Sequence, residues 1–203
     1  HSLLGRAGEL NLLLNRWDTA ASGLGQLVLI TGEPGIGKSR LLAEARRYAK
    51  GRGVRWIEGS SLSFGGTLSY WPFRELVRAC FEIAEDDDEQ QCWSKLRARM
   101  VALFGAEQGE ELAPFVGVLL SLPVPEDLAG RTRALDGLSL GHRIFRSTLK
   151  LFERLGQERP MAVVLEDWHW ADASSADLLE HLLPLAATTP ILYVVASRPG
   201  QEG

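Results

Sequence analysis

Apolar side chains recur at helical spacing near the start of the chain, at Leu10, Leu13, Leu14 and Trp17, and predict an amphipathic helix. Ser22-Gly23-Leu24-Gly25 breaks that pattern. The apolar run Leu27-Val28-Leu29-Ile30 follows, as expected for a short strand buried on both faces. A glycine-rich segment comes next, and then Arg40 to Lys50 reads as a helix closed by Gly51 and Gly53. Val54-Arg55-Trp56-Ile57 predicts a second strand. Near the other end, Met161 to Leu165 and Ile191 to Val195 predict two more buried strands. A helix from Ser174 to Ala187 lies between them, and Pro184 kinks or shortens it. Strands alternating with helices predict a parallel sheet covered on both faces, with right-handed crossovers.

The middle of the chain is patterned less clearly. Ser60 to Thr67 reads as a Ser/Gly loop. Pro72 suits the first turn of a helix, whose apolar face is Phe73, Leu76, Val77, Cys80 and Phe81. The acidic run Glu85 to Glu89 predicts a solvated turn. Trp93, Leu96, Met100 and Leu103 mark another helix, and Pro114, Pro123 and Pro125 then punctuate a stretch with no assigned element. Leu140 to Leu155 is amphipathic, with Ile144, Phe145, Leu149, Leu151, Phe152 and Leu155 apolar. Roughly 100 residues separate the second and third strands, more than a simple crossover needs. They predict a helical insertion over 70–156 within one 1–203 domain. There is no internal repeat.

Composition narrows the class. Of 203 residues, 45% are hydrophobic and 24% charged, which fits an ordinary globular domain rather than a disordered chain. The net charge of −4 argues against direct nucleic-acid binding by this segment. Cys80 and Cys92 match no zinc or redox spacing and predict reduced thiols. No apolar run approaches the ~18 residues of a membrane helix, and no signal-peptide pattern opens the chain. A cytoplasmic location without membrane contact is the expectation. The chain opens at His1 rather than Met, which predicts a fragment of a larger protein.

The strongest chemical signal is Gly32-Glu33-Pro34-Gly35-Ile36-Gly37-Lys38-Ser39, which matches G-x-x-x-x-G-K-[ST]. An apolar strand precedes it and a helix follows, the context a P-loop requires. Its glycines let backbone N–H groups turn inward around an anion, and the helix N-terminus adds its dipole. Lys38 is placed to reach the β- and γ-phosphates of a nucleoside triphosphate, and Ser39 to ligate Mg²⁺. A second signal is the strand that runs from Met161 into Glu166-Asp167. One carboxylate at that strand end suits Mg²⁺, and the other suits the attacking water. Their spacing leaves the division open. Arg198, after the last strand, falls on the ligand edge of a parallel sheet, and reads either as a γ-phosphate contact or as a surface arginine before Pro199.

Other residues carry blander readings. Ser174 suits a helix N-cap with Asp177 three residues on, and Asp172 suits a cap or turn. Trp168-His169-Trp170 is an unusual cluster. His169 reads equally as a sensor of phosphate state, a partner of the acids, or a packing anchor. The spacing of Gly5-Arg6 does not by itself make a ligand site.

Together these stretches resemble the ATPase domain of STAND-class signalling NTPases, close to the AAA+ proteins. The resemblance is nearest to modules of large bacterial LuxR-type transcriptional activators and multidomain adenylyl cyclases. It rests on Leu4-Gly5-Arg6-Ala7-Gly8-Glu9-Leu10, on Ile30 to Leu41 around the P-loop, on Leu165-Glu166-Asp167-Trp168-His169-Trp170-Ala171-Asp172, and on Val194-Val195-Ala196-Ser197-Arg198-Pro199. It implies a three-layer αβα sandwich with strand order 5-1-4-3-2. The fifth strand is expected to be absent here, which would leave the first as an unusual edge. It implies ATP/ADP and Mg²⁺ as ligands, with Glu33, Pro34, Gly35, Ile36, Gly37, Lys38, Ser39 and Arg40 on the nucleotide. Leu4, Gly5 and Arg6 lie against the adenine, and Lys38, Glu166, Asp167 and Arg198 are catalytic. Ser39, Glu166 and Asp167 serve the metal. Many relatives have two aspartates where Glu166-Asp167 stand here. The resemblance also marks Ser69-Tyr70-Trp71-Pro72-Phe73 as family-like, without a role. It implies an ATP-dependent switch that hydrolyses slowly and acts on winged-helix, repeat, cyclase or DNA-binding domains of the same chain, with nucleotide-dependent self-association.

Three other readings stand beside the switch. A turnover AAA+ remodelling ATPase needs an arginine finger in trans, for which Arg131, Arg133 or Arg143 is available. A binding-only module has vestigial hydrolysis. A GTP-specific domain is disfavoured, since no Asn/Thr-Lys-x-Asp motif is present.

Overall fold

The computed structural model describes residues 6–63 and 69–200. The chain divides into an α/β unit, residues 1–72 and 155–203, and a helical unit, residues 73–154. In chain order the elements are α1 (Ala7–Ala21), β1 (Gln26–Thr31), α2 (Lys38–Lys50), β2 (Arg55–Ser60), α3 (Trp71–Cys80), α4 (Glu89–Phe104), α5 (Ala106–Leu119), α6 (Glu126–Ala129), α7 (Gly137–Glu158), β3 (Met161–Glu166), α8 (Ala173–Leu182) and β4 (Ile191–Ser197). Among the described residues no helix is long and apolar enough to cross a membrane.

The α/β unit is built on one parallel sheet of order β1-β4-β3-β2. Side chains alternate across it. On one face Ala162, Val164, Leu192, Val194 and Ala196 pack against Leu13, Trp17 and Ala20 of α1 and Leu41, Leu42 and Ala45 of α2. On the other face Tyr193 is fully buried, and its Oη donates to the Leu182 carbonyl at the end of α8 at 3.1 Å. The sheet thus has helices on both sides, the αβα arrangement expected. Central β3 and β4 are buried almost throughout, as parallel strands covered on two faces must be.

β1 departs from the expectation of burial on both faces. Among the described residues it pairs only with β4, and it alternates between half-buried and exposed, with Leu27 45% and Leu29 67% accessible. The expected edge position explains this: a run of four apolar residues reads as double burial, but only Val28 and Ile30 face the α1–α2 layer. Ser60, placed in a loop by its composition, ends β2 instead; residues 64–68 of that loop lie outside the described residues.

The helical unit follows apolar spacing where that was clear. Phe73, Leu76, Val77 and Phe81 are buried along α3, and Trp93, Leu96, Met100 and Leu103 along α4. Phe73 and Phe152 meet edge to face, their centroids 6.4 Å apart. The acidic run is a solvated turn at Glu85 and Asp86, as expected, and then enters α4: Asp88 caps the helix in a reciprocal box with Gln91, both bonds 2.8 Å, and Asp87 pairs with Lys95 at 2.6 Å. The hydrogen bond from Lys95 holds the Asp87 carboxyl below its usual pKa. The unassigned stretch contains α5, with Pro114 inside it. A proline there forfeits a backbone hydrogen bond. Burial of Leu112, Ala113, Phe115, Val116 and Leu119 outweighs that loss. Gly109 and Gly117 let α5 approach α4 closely; a Cβ on Gly117 would lie 2.2 Å from the Trp93 ring. Cys80 and Cys92 form no disulfide among the described residues.

Candidate functional site

All four strands of the parallel sheet end on the same edge, and three of them carry the candidate residues. β1 ends at Thr31, β3 at Glu166 and β4 at Ser197, with Thr31 in register with Ser197. The loop Gly32–Gly37 leaves β1 and enters α2 at Lys38. The Gly32 amide donates to the Ser197 carbonyl at 3.3 Å, fastening the loop's first residue to β4. Gly35 and Gly37 take φ of 76° and 97°, in the left-handed region that favours glycine. The Ile36 amide closes a turn on the Glu33 carbonyl at 3.3 Å. Glu33, Pro34, Gly35 and Ile36 are all exposed, and so are Ser39 and Arg40 on the first turn of α2.

Lys38 turns back into its own loop. Its Nζ donates to the carbonyls of Gly32 at 2.6 Å and Glu33 at 3.2 Å. Ser39 reaches across the edge, and its Oγ donates to Glu166 Oε2 at 2.7 Å. That bond joins residues 127 positions apart in sequence.

Glu166 and Asp167 are adjacent yet differently placed. Glu166 is the last residue of β3, half-buried and engaged by Ser39. Asp167 is exposed and adopts φ 51° and ψ 37°, a left-handed conformation that swings the chain off the strand. The 3-10 turn Trp168–Trp170 follows, tied by a bond from the Trp170 amide to the Asp167 carbonyl at 2.9 Å. This turn packs on β4. His169 lies within electrostatic reach of Arg198, Asp167 and Lys38. Burial, and next the Arg198 cation, depress the pKa of its imidazole. Arg198 itself is exposed, one residue beyond β4.

Asp172 closes the segment. It is the N-cap of α8, accepting from the Ser175 amide at 3.0 Å and the Ser175 hydroxyl at 2.6 Å. The expected cap at Ser174 with Asp177 is therefore displaced by two residues. Asp172 stands just before the helix with an extended backbone, the geometry a cap needs. Asp172 also accepts from the Tyr70 amide at 3.4 Å. Tyr70 has φ 61°, and burial raises the pKa of its phenol. This tie from residue 70 to residue 172 is the feature that sequence reading missed. Its only signal was the unassigned Ser69–Phe73 stretch.

The edge thus brings together Lys38, Ser39, Glu166, Asp167, His169 and Arg198. Leu4 and Gly5 lie outside the described residues; Arg6 is placed at the start of α1, its carbonyl accepting from the Leu10 amide at 3.1 Å. The edge fits a phosphate chain and a magnesium ion. Its left-handed glycines shape an anion loop, and a lysine and an arginine supply positive charge. Among the described residues no three His, Cys, Asp or Glu side chains converge as a metal cage. A hydroxyl beside one carboxylate is what Mg²⁺ takes when phosphates and water complete its shell.

A family model of the AAA ATPase domain matches residues 2–195. An uncharacterized protein of Rhizobium meliloti (strain 1021) is 30% identical over 197 residues. Those residues are 97% of this chain and 18% of the relative, so the chain spans less than a fifth of the curated relative's length.

Proposed function

The chain belongs to the AAA ATPase domain family, and on that premise we propose that it is an ATP-binding, slowly hydrolysing switch module of a larger signalling or transcription-regulating protein of the STAND class. One observation carries the site chemistry: the 2.7 Å bond from Ser39 Oγ to Glu166 Oε2. It joins the nucleotide loop to the β3 carboxylate, the pairing from which P-loop enzymes hold magnesium on a nucleotide.

That bond also supports a division of labour between the two acids. Ser39 and Glu166 would hold Mg²⁺, directly or through water. A bound ion would neutralise charge on the β- and γ-phosphate oxygens. Asp167 leaves the strand in another direction and stays exposed, which suits it to accept the proton of the attacking water. Lys38 would exchange its two backbone carbonyl partners for β- and γ-phosphate oxygens, a stronger charge-assisted contact. The N–H groups of the loop and the first turn of α2 would cradle the phosphates. Arg198 would face the terminal phosphate and, with it, distinguish ATP from ADP. Leu4 to Arg6 would lie against the adenine, as the family resemblance implies.

The switch reading adds that contacts to the terminal phosphate bias neighbouring domains between two states. Those domains would be winged-helix, repeat, cyclase or DNA-binding modules of the same protein. The Rhizobium meliloti relative carries its matching segment within a far longer chain, which supports a module in a multidomain setting. Phosphate release separates the readings: a switch turns over well below ~1 per second, whereas ~1–100 per second marks an efficient phosphoryl-transfer enzyme. A rate in the upper range would overturn the switch and favour a turnover ATPase.

A further inference from the structure

The helical unit carries a groove of about 460 Å³ along α4. Trp93 forms its floor, with the indole N–H donating to the Pro123 carbonyl at 2.8 Å, and Pro125 forms an apolar wall. Charge is graded along this helix. Exposed Glu85, Asp86 and Glu89 stand at its N-terminal end, and Arg97 lines the groove beyond Trp93. At ~1.5 Å per residue, Glu89 and Arg97 each lie ~6 Å from Trp93 along the axis. The start of α7 has the same order of acid, apolar group and base. Leu138 in its first turn is 79% accessible, the most exposed large apolar side chain among the described residues. His142 and Arg146 follow at four-residue intervals on the same helix face, both exposed, ~6 and ~12 Å further along. Asp136 precedes Leu138, its carboxylate accepting from the Ser139 amide at 2.7 Å.

We propose that the helical unit docks a second copy of this chain, whose α7 lies antiparallel in the α4 groove with Leu138 seated between Trp93 and Pro125. Two helices with the same charge order complement each other only when antiparallel. Asp136 of one copy then faces Arg97 of the other, His142 faces Glu89, and Arg146 faces the Glu85–Asp86 turn. The spacings agree, since Arg146 reaches ~12 Å past Leu138 and the acidic turn lies beyond Glu89, itself ~6 Å past Trp93. A parallel alignment would set Asp136 over the acidic turn and a basic side chain over Arg97. The seated leucine is the anchor of such helix-in-groove docking, and the charges chiefly fix its direction and register. Arg97 is already held by Glu110 at 2.8 Å and Asp127 at 2.9 Å, so Asp136 contributes least. Every copy carries both faces and can therefore both give and receive the contact. None of this depends on the nucleotide edge.

Sedimentation equilibrium of the 203-residue chain at low salt tests this, with circular dichroism confirming that each variant folds. Wild type should self-associate, and less strongly in about 0.5 M salt, which screens the flanking charges. Leu138→Glu should weaken association about tenfold or more, the worth of one seated leucine. Ser94→Arg, at an exposed position lining the groove, should do the same from the other side. Arg146→Glu and Asp86→Arg should each weaken self-association. An equimolar mixture of those two variants should recover it as mixed pairs, because the exchanged charges attract again. A wild type that stays monomeric up to about 1 mM overturns the proposal and leaves the groove to a different partner. Association that survives both Leu138→Glu and Ser94→Arg overturns it too, as does a mixture that associates no better than its components.

Discussion

Two chain segments meet at the sheet's ligand edge, and they are made differently. The loop after β1 works through its backbone: Gly35 and Gly37 sit in left-handed conformations, and Glu33, Pro34 and Ile36 expose their side chains to solvent. The segment after β3 works through side chains. Glu166 takes the Ser39 hydroxyl, Asp167 projects outward, His169 is tucked in, and Asp172 caps α8 while holding the Tyr70 amide. A backbone site tolerates many side chains but few changes of conformation. A side-chain site tolerates neither truncation nor a shift of one residue.

The comparison can be broken at its exceptions. Lys38, where the loop enters α2, carries the proposed phosphate binding through its side chain. Lys38→Ala is expected to weaken ATP binding at least about a hundredfold, the loss of two charge-assisted hydrogen bonds. Circular dichroism should show the fold unchanged, since this exposed edge contributes little to the core. A variant that no longer folds would show that Lys38 carries structure as well as binding. On the other segment, Asp167→Asn should slow phosphate release about a hundredfold or more, as expected for loss of a general base, with binding retained. An unchanged rate would transfer that role to Glu166.

Smaller effects sharpen the contrast. Gly37→Ala adds a Cβ at φ 97° and should cost about 1–2 kcal/mol, read as a lower melting temperature and weaker nucleotide binding. Pro34→Ala, in the same loop but exposed, should stay within about 0.5 kcal/mol. Equal effects at the two positions would contradict a backbone-built loop. Asp172→Ala should cost about 1 kcal/mol of stability through the lost cap. Thermal melting measures it, and no change would mean that the Tyr70 tie and the cap are both dispensable.

The same contrast explains how much was legible in the sequence. The loop after β1 could be read directly, because backbone wrapping demands glycines at fixed spacing and a lysine and hydroxyl at its end. Apolar periodicity likewise gave the four strands and the helices carrying Leu76, Met100 and Phe152. Side-chain arrangements were harder. Which of Glu166 and Asp167 meets Ser39 depends on where β3 ends and where the chain turns left-handed, and adjacent acids give no sign of that. Asp172 rather than Ser174 caps α8, because either residue type suits the position and only backbone geometry chooses. α5 was hidden by Pro114, whose local penalty is outweighed by burial that propensity does not report. The exposed face of β1 was hidden because an apolar run looks alike in a central and an edge strand. The Tyr70–Asp172 bond spans 102 positions, a separation at which local patterns carry no information.

The most direct test of the central claim is calorimetric titration of the chain with ATP, ADP and GTP, each with and without Mg²⁺. The account predicts that adenine nucleotides bind in preference to GTP and that Mg²⁺ tightens ATP binding. A folded chain whose ATP affinity is indifferent to Mg²⁺, or which binds GTP as well as ATP, would contradict it.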